Sequence, residues 1–432
     1  MKSKLLKNIS WLFYDKIIRV LGGLLIGIWV ARYLGPNDFG VLNYSIAYVA
    51  MFMLFVKLGL DQIVVREIVK DKESRGEILG TVFLLKLLGG VFAICCVVIS
   101  FFFIEMDLLT RSIILILSIQ FVFQSLDIID YYYQAQVLSK YVVIARNTAF
   151  ILSSGLKIFL IINNFPVIFF AAIISFDFLL AALFLVIIYK RKKQETLEWS
   201  YNKRIAKRLL LDSWPLAISM FLITIYTKID QVMIGNLLDK EQVGIYSVAV
   251  KLTESWMFIP IIIINTLMPY FVSLREKDNR KYYERLTQLY SLMFWMGLIV
   301  GIAVLFFGEF AIKLLFGEIY IGSYNALVFN IWNGIFISQA IARGIWLINE
   351  NLQKYRLYNN VIAVVLNISL NILLIPIFGI TGAAITTLFT QGLGTWLIPF
   401  LWKPMRESNK AMIRSINPYY LFSAIRTIRY DR

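Results

Sequence analysis

About a dozen apolar stretches, each near twenty residues long, run through this chain, and lysines and arginines stand inside many of them. A helix needs about 20 apolar residues to cross roughly 30 Å of hydrocarbon. Inside a bilayer every backbone amide must be satisfied within the protein, so such stretches dictate a bundle of spanning helices. Six predicted spans lie near 9–33, 41–65, 78–103, 112–134, 142–162 and 166–189. Six more lie near 213–236, 243–272, 286–306, 324–349, 357–377 and 380–401. The cations inside them are Lys16, Arg19, Lys57, Lys86, Arg146, Lys157, Lys228, Lys251 and Arg343. One intramembrane charge costs roughly 3 kcal/mol, so this set facing lipid would cost on the order of 25 kcal/mol. They must face acids, water or an anionic cargo.

The expected architecture is an all-α polytopic membrane protein of about 12 helices. The first bundle occupies 1–190, a basic linker 191–212, the second bundle 213–401 and a basic tail 402–432. With 59% hydrophobic and 16% charged residues, no hydrophilic block is large enough for a separate catalytic domain. The net charge of +16 is spread over short loops and accompanies no nucleic-acid fold motif, so no nucleic-acid partner is expected. No cleavable leader is read at the N terminus, and the first helix is expected to remain as an anchor.

The two cysteines, Cys95 and Cys96, are adjacent, which excludes metal-pair spacing and an easy mutual disulfide; they read as packing residues. Histidine is absent, so a metal site loses its commonest ligand and any proton coupling must use carboxylates. No cofactor is expected.

Lysine and arginine are divided unequally between alternate loops, with about 30 on the side of the termini against about 4 on the other. Both termini are therefore expected in the cytoplasm. The connection beginning Lys190, Arg191, Lys192, Lys193 is the longest basic one and reads as a hinge between halves. The tail, with Pro418-Tyr419-Tyr420-Leu421-Phe422, is expected along the cytoplasmic face, where basic and aromatic residues suit anionic lipid.

An internal repeat links the halves. Tyr33-Leu34-Gly35-Pro36-Asn37-Asp38-Phe39-Gly40-Val41 aligns with Leu237-Leu238-Asp239-Lys240-Glu241-Gln242-Val243-Gly244-Ile245. Lys140-Tyr141 echoes Lys354-Tyr355, and Asn164-Phe165-Pro166 echoes Phe378-Gly379-Ile380. Six helices per half give parallel repeats about an axis along the membrane normal, an arrangement that encloses a central cavity and allows alternating access.

The pattern Asn8-Ile9-Ser10-Trp11-Leu12, then Ala31-Arg32-Tyr33-Leu34-Gly35-Pro36-Asn37-Asp38-Phe39-Gly40, resembles the polysaccharide-biosynthesis exporters. So does the continuation Gly59-Leu60-Asp61 with Arg66-Glu67. These are the Wzx-type oligosaccharide flippases of the multidrug/oligosaccharidyl-lipid/polysaccharide superfamily. The resemblance implies transfer of an undecaprenyl-diphosphate-linked oligosaccharide, an O-antigen or capsule unit, from the inner to the outer leaflet. It also implies a polysaccharide polymerase and a chain-length regulator as partners. Lipid II flippases of the superfamily usually have two further helices, which favours the O-antigen or capsule branch.

A lipid diphosphate must carry its anionic head group through low dielectric, and fixed cations in a wet cavity offset part of its desolvation. Candidates for that cavity are Arg19, Lys57, Lys86, Arg146, Lys157, Lys228 and Arg343, with arginine best suited because its guanidinium stays charged and grips phosphate bidentately. The simpler alternative is mutual neutralisation: Asp15 with Arg19 and Lys57 with Asp61 are i,i+4 pairs, and Lys251 with Glu254 is similar. Lys16, Lys86, Arg146, Lys157, Lys228 and Arg343 have no acid at i±3 or i±4. Candidates for ion coupling are Asp61, Asp127, Asp130, Asp177 and Asp230, whose alternative role is that of counter-ion or cap.

Two other functions compete. A drug or metabolite exporter of the same superfamily would more typically line its cavity with acids, whereas the interior excess here is positive. A membrane polymerase or ligase would need activating groups on the outer face, where the short turns offer only scattered charges, and no Walker-type loop is present.

Overall fold

A computed structural model describes residues 2–71, 73–192 and 198–430, and nearly all of them are helical. Ten helices are long and apolar enough to cross a bilayer. Two of these contain a sharp reversal, so the described residues make twelve spanning segments. Helix α1 (Lys2–Ala50) breaks at Gly35, whose φ of +70° is open only to glycine at low cost, and Pro36 begins the next limb, where its missing N–H is harmless. Contacts in space divide the chain into two compact units, Met1–Val232 and Met233–Arg432.

In the first unit the second limb of α1 continues into α2 (Met53–Lys57) and α3 (Asp61–Lys70). Next come α4 (Arg75–Ser100), α5 (Leu108–Ser118), the short α6 (Gln120–Phe123), a 3-10 turn over Gln124–Asp127, and α7 (Ile128–Ala135). α8 (Ser139–Ile162), α9 (Val167–Arg191) and most of α10 (Lys203–Leu237) complete it. α1 packs on α8, α8 on α9, and α5 on both α1 and α9. Asp107 caps α5 by accepting from the Thr110 amide at 2.9 Å.

The hydropathy pattern assigns α10 to the second helix set, yet most of it clusters with the first unit, and Gly59 gives the reason. Its φ is +65°, and a Cβ there would stand 2.5 Å from the Ala217 nitrogen and 2.6 Å from the Ser213 oxygen. Only a glycine lets α10 approach so closely. Residues 193–197 of the expected hinge lie outside the described residues, but the segment after them is pinned to α4. The Asn202 amide donates to Thr81 Oγ1 at 2.9 Å, and its side chain donates to Glu77 at 2.6 Å. Cβ atoms added at Gly76 and Gly80 would meet Glu198 and Ser200 backbone at 2.3 and 2.5 Å.

The second unit contains α11 (Lys240–Trp256), α12 (Phe258–Lys277), α13 (Asn279–Phe316), α14 (Ser323–Asn349) and α15 (Gln353–Gly392). α15 reverses at Gly379, φ +60°, and runs on through a π-helical turn at Leu393–Leu397. α14 is the hub, packed by α11, α12, α13 and α15. Its most apolar window is 61% buried, against 17% for α13. The tail forms α16 (Arg406–Arg414) and α17 (Pro418–Tyr430).

The surface is inverted relative to a water-soluble protein. Phe102 is 85% exposed and Phe103 82%, and leucines, isoleucines and phenylalanines stand outward along most spans. Lipid is the only solvent in which that surface is cheap. Cys95 belongs to it: the side chain is exposed and Cys96 is half-buried, so the former faces outward instead of packing in a core.

The repeat is visible in local geometry. Val137 and Asn351, related by the spacing that relates Lys140-Tyr141 to Lys354-Tyr355, both adopt φ +56°. The next amides bond back identically, Leu138 to the Tyr133 carbonyl and Leu352 to the Leu347 carbonyl, each at 2.9 Å.

Candidate functional site: a charged cavity in the first unit

The chain leaves helical geometry at Leu58 (φ +52°) and Gly59 before re-entering it at Asp61. That offset turns Lys57, the last residue of α2, and Asp61, the first of α3, toward one hollow. From the opposite side the 3-10 turn ends at Asp127, and the tighter winding hands over to α7 with Asp130, Tyr131 and Gln134. α8 supplies Arg146. The hollow has a volume of about 390 Å³ and is walled by these residues with Gln62 and Val65.

Arg146 is the centre of the charge arrangement. One of its terminal nitrogens, Nη2, lies 2.8 Å from Asp130 Oδ2 and 3.2 Å from Asp127 Oδ1. Asp130 also accepts from the Gln134 amide at 2.9 Å. A second chain runs through Tyr131: Lys86 Nζ donates to the tyrosine oxygen at 3.0 Å, and the hydroxyl donates to Asp61. The Lys86 ammonium also stands 4.9 Å from the centroid of the same ring. Lys86 is 1% exposed and so lies behind the wall, its charge conveyed to the cavity through Tyr131.

The cluster thus sets Lys57, Lys86 and Arg146 against Asp61, Asp127 and Asp130. Sequence reading expects a positive interior; this site is charge-balanced. Helix spacing identifies the i,i+3 carboxylates, but Arg146 finds them across a helix boundary, which no single-helix pattern reveals. Gln134 is the residue that sequence reasoning passes over, while Tyr131, readable from the sequence as an aromatic that stacks on sugar or sits at the membrane interface, is in the site through its hydroxyl. The run Tyr131-Tyr132-Tyr133 beside Asp130 was the available signal.

The other candidates lie elsewhere. Arg19 pairs with Asp15 at 3.0 Å on α1, while Lys16 is exposed. Lys157 lies within the field of Asp177, which accepts from Ser153 at 2.8 Å. Lys228 and Asp230 sit on α10, where Asp230 is buried, and neither lines the cavity. Arg343 belongs to the second unit, 3% exposed, where it donates to Asn409 Oδ1 at 2.5 Å and contacts the Met412 sulfur. α16 therefore does not merely lie along the face of the protein: Ser408, Asn409 and Met412 are part of the core.

The fold is that of a polytopic transporter. Across 93% of this chain and 98% of the other, it superposes with TM-score 0.70 and 17% identity on an inward-facing multidrug resistance MATE family transporter of the MOP superfamily. Across 98% of this chain and 93% of the other, it matches the inward closed conformation of the lipid II flippase MurJ with TM-score 0.68 and 15% identity. Residues 5–275 match the family model described as polysaccharide biosynthesis protein, and residues 215–373 match the MatE model. The chain belongs to the polysaccharide biosynthesis protein family, and its ten long apolar helices make it a multi-pass membrane protein. It is 28% identical over 407 residues, 90% of this chain and 96% of the relative, to the capsular polysaccharide biosynthesis protein CapF of Staphylococcus aureus. It is also 28% identical over 190 residues, 40% of this chain and 37% of the relative, to the probable flippase AglR of Haloferax volcanii.

Proposed function

We propose that this protein flips an undecaprenyl-diphosphate-linked oligosaccharide, a capsule or O-antigen repeat unit, from the cytoplasmic to the outer leaflet of the bacterial plasma membrane. The observation that carries this reading is Arg146, held by two carboxylates beside Lys57 in a cavity within the spanning helices. A diphosphate entering the cavity competes with Asp127 and Asp130 for the guanidinium, replacing two single contacts on Nη2 by a bidentate grip on the fork. The displaced carboxylates then become expensive anions in low dielectric and take up a proton or a metal cation. That exchange links substrate entry to an ion. Asp61, tied through Tyr131 to Lys86, is the third candidate for coupling.

The resemblance to CapF supports the capsule pathway. The lysine and arginine asymmetry supports cytoplasmic termini and alternating exposure of the cargo to the two sides. A polymerase and a chain-length regulator would act on the delivered unit. Within this reading Lys57 and Arg146 meet the head group, with Lys86 acting from behind the wall through Tyr131, and Arg19, Lys157, Lys228 and Arg343 stand outside the cavity.

Three carboxylates in one cavity favour a second reading, export of an organic cation. Proteoliposomes decide between the two. We expect translocation of a fluorescent lipid-diphosphate oligosaccharide by the native protein and at least a tenfold loss in Arg146→Ala at equal abundance, with Arg343→Ala less affected. Transport of an organic cation, inhibited by Asp127→Asn and indifferent to Arg146→Ala, would overturn the flippase reading.

A further inference from the structure

The last two helices carry their charges on a rigid platform. Their inner face is fastened by Arg343 to Asn409 at 2.5 Å, Tyr290 with Ser408 at 2.9 Å, Gln339 to Ser415 at 3.2 Å and Gln288 to Ser423 at 2.7 Å. Asn409, Met412 and Ser415 are buried, so the rotation of α16 is fixed. That rotation leaves Arg406, Lys410 and Arg414 exposed on α16, and Lys403 just before it and Arg426 on α17 are exposed too. The one acid among them, Glu407, is engaged by Lys410 at 2.9 Å.

Apolar groups on the same two helices are exposed as well. Ile413 is 45% exposed, Phe422 62% and Tyr419 68%, with Tyr419 set edge-on to Tyr420. Exposed rings would be costly in water, and a purely apolar environment would be costly for the cations beside them. The boundary between head groups and acyl chains accommodates both, with rings in the apolar edge and cations against phosphates.

We propose that the outward face of α16 and α17 is a binding surface for the anionic phospholipid head groups of the surrounding bilayer. The charge excess chooses anionic over zwitterionic lipid, and the rings set the depth of the helices. The tail is thus an anchor that reads the charge of the membrane, independent of what the transporter carries.

The test uses the full-length protein in nanodiscs of phosphatidylcholine, with or without phosphatidylglycerol. A fluorophore is placed at Phe422→Cys in a Cys95→Ser, Cys96→Ser background, and brominated lipids serve as quenchers. We expect quenching at Phe422→Cys, retention of phosphatidylglycerol by the protein in native mass spectrometry, and loss of that retention at high salt. Combining Lys403→Gln, Arg406→Gln, Lys410→Gln and Arg414→Gln should lower the anionic preference by about fivefold per cation removed. Because these side chains are exposed, thermal stability in detergent should be unchanged. Equal retention by the four-fold variant would overturn the proposal. So would a label that stays in water in both lipids, or one shielded only after a soluble acidic protein is added.

Discussion

Arg146 does two things that substitution can separate. It neutralises Asp127 and Asp130, and in the proposed mechanism it receives the substrate's phosphates. Arg146→Ala leaves Asp130, 6% exposed, without its cation. We expect a loss of about 3 kcal/mol, the low end for breaking a buried pair, because the Arg146 side chain is 33% exposed. The triple variant Arg146→Ala, Asp127→Asn, Asp130→Asn removes the orphaned charges along with the cation. It should recover most of the thermal stability in detergent while remaining inactive in transport. If both variants unfold alike, packing and not charge explains the effect. The outcome for Lys86 differs, since its neighbour Tyr131 is neutral and shared with Asp61.

At the scale of elements, the contact between α4 and the segment 198–202 is made possible by small residues. Gly76→Ala would bring a methyl group 2.3 Å from the Glu198 carbonyl oxygen, backbone that cannot swing aside like a side chain. We expect that variant to lift the segment, seen as faster amide hydrogen exchange from Glu198 to Asn202, with the spanning helices unchanged. Unaltered exchange would show that α4 can shift to make room. Before α4 the Ser74 amide donates to Asp71 at 3.0 Å and holds that carboxyl below the usual carboxylate range. None of this was legible in a basic, polar stretch that reads as a hinge, because a glycine's use as a contact point depends on which backbone comes to meet it. The spans themselves were legible, since bilayer thickness imposes their length and leaves the pattern in the hydropathy. Gly35 and Gly379 were readable as turns for a related reason: only a break in the helix accommodates two spans in so few residues.

At the scale of the molecule, the uneven lysine and arginine content predicts cytoplasmic termini, which one labelled site can test. Arg426→Cys, in a background lacking the native cysteines, should react with a membrane-impermeant maleimide in inverted membrane vesicles and not in intact cells. The reverse pattern would place the termini outside. What the sequence concealed at this scale was the pairing of charges. It revealed that cations stand inside the bundle, yet burial of a charge is settled by its partner on another helix, as with Arg146 on α8 facing Asp130 on α7. For the same reason Arg343 looked like a receptor for the head group, although its partners are neutral groups, Asn409 and Met412 of α16 and Tyr290 of α13.

The single-residue reversals have a practical consequence. At Gly35 and Gly379 the chain passes from one span to the next with one non-helical residue, where most membrane proteins present a loop. A loop is what a protease cuts, what an antibody grips and what an experimenter lengthens to insert a tag. These corners offer none of the three: an insertion there would have to prise apart limbs that one residue closes, and a binder would find two helix ends joined by a single residue. Reporters belong on the tail, and recognition from the far side of these turns would have to rely on the few longer connections that remain.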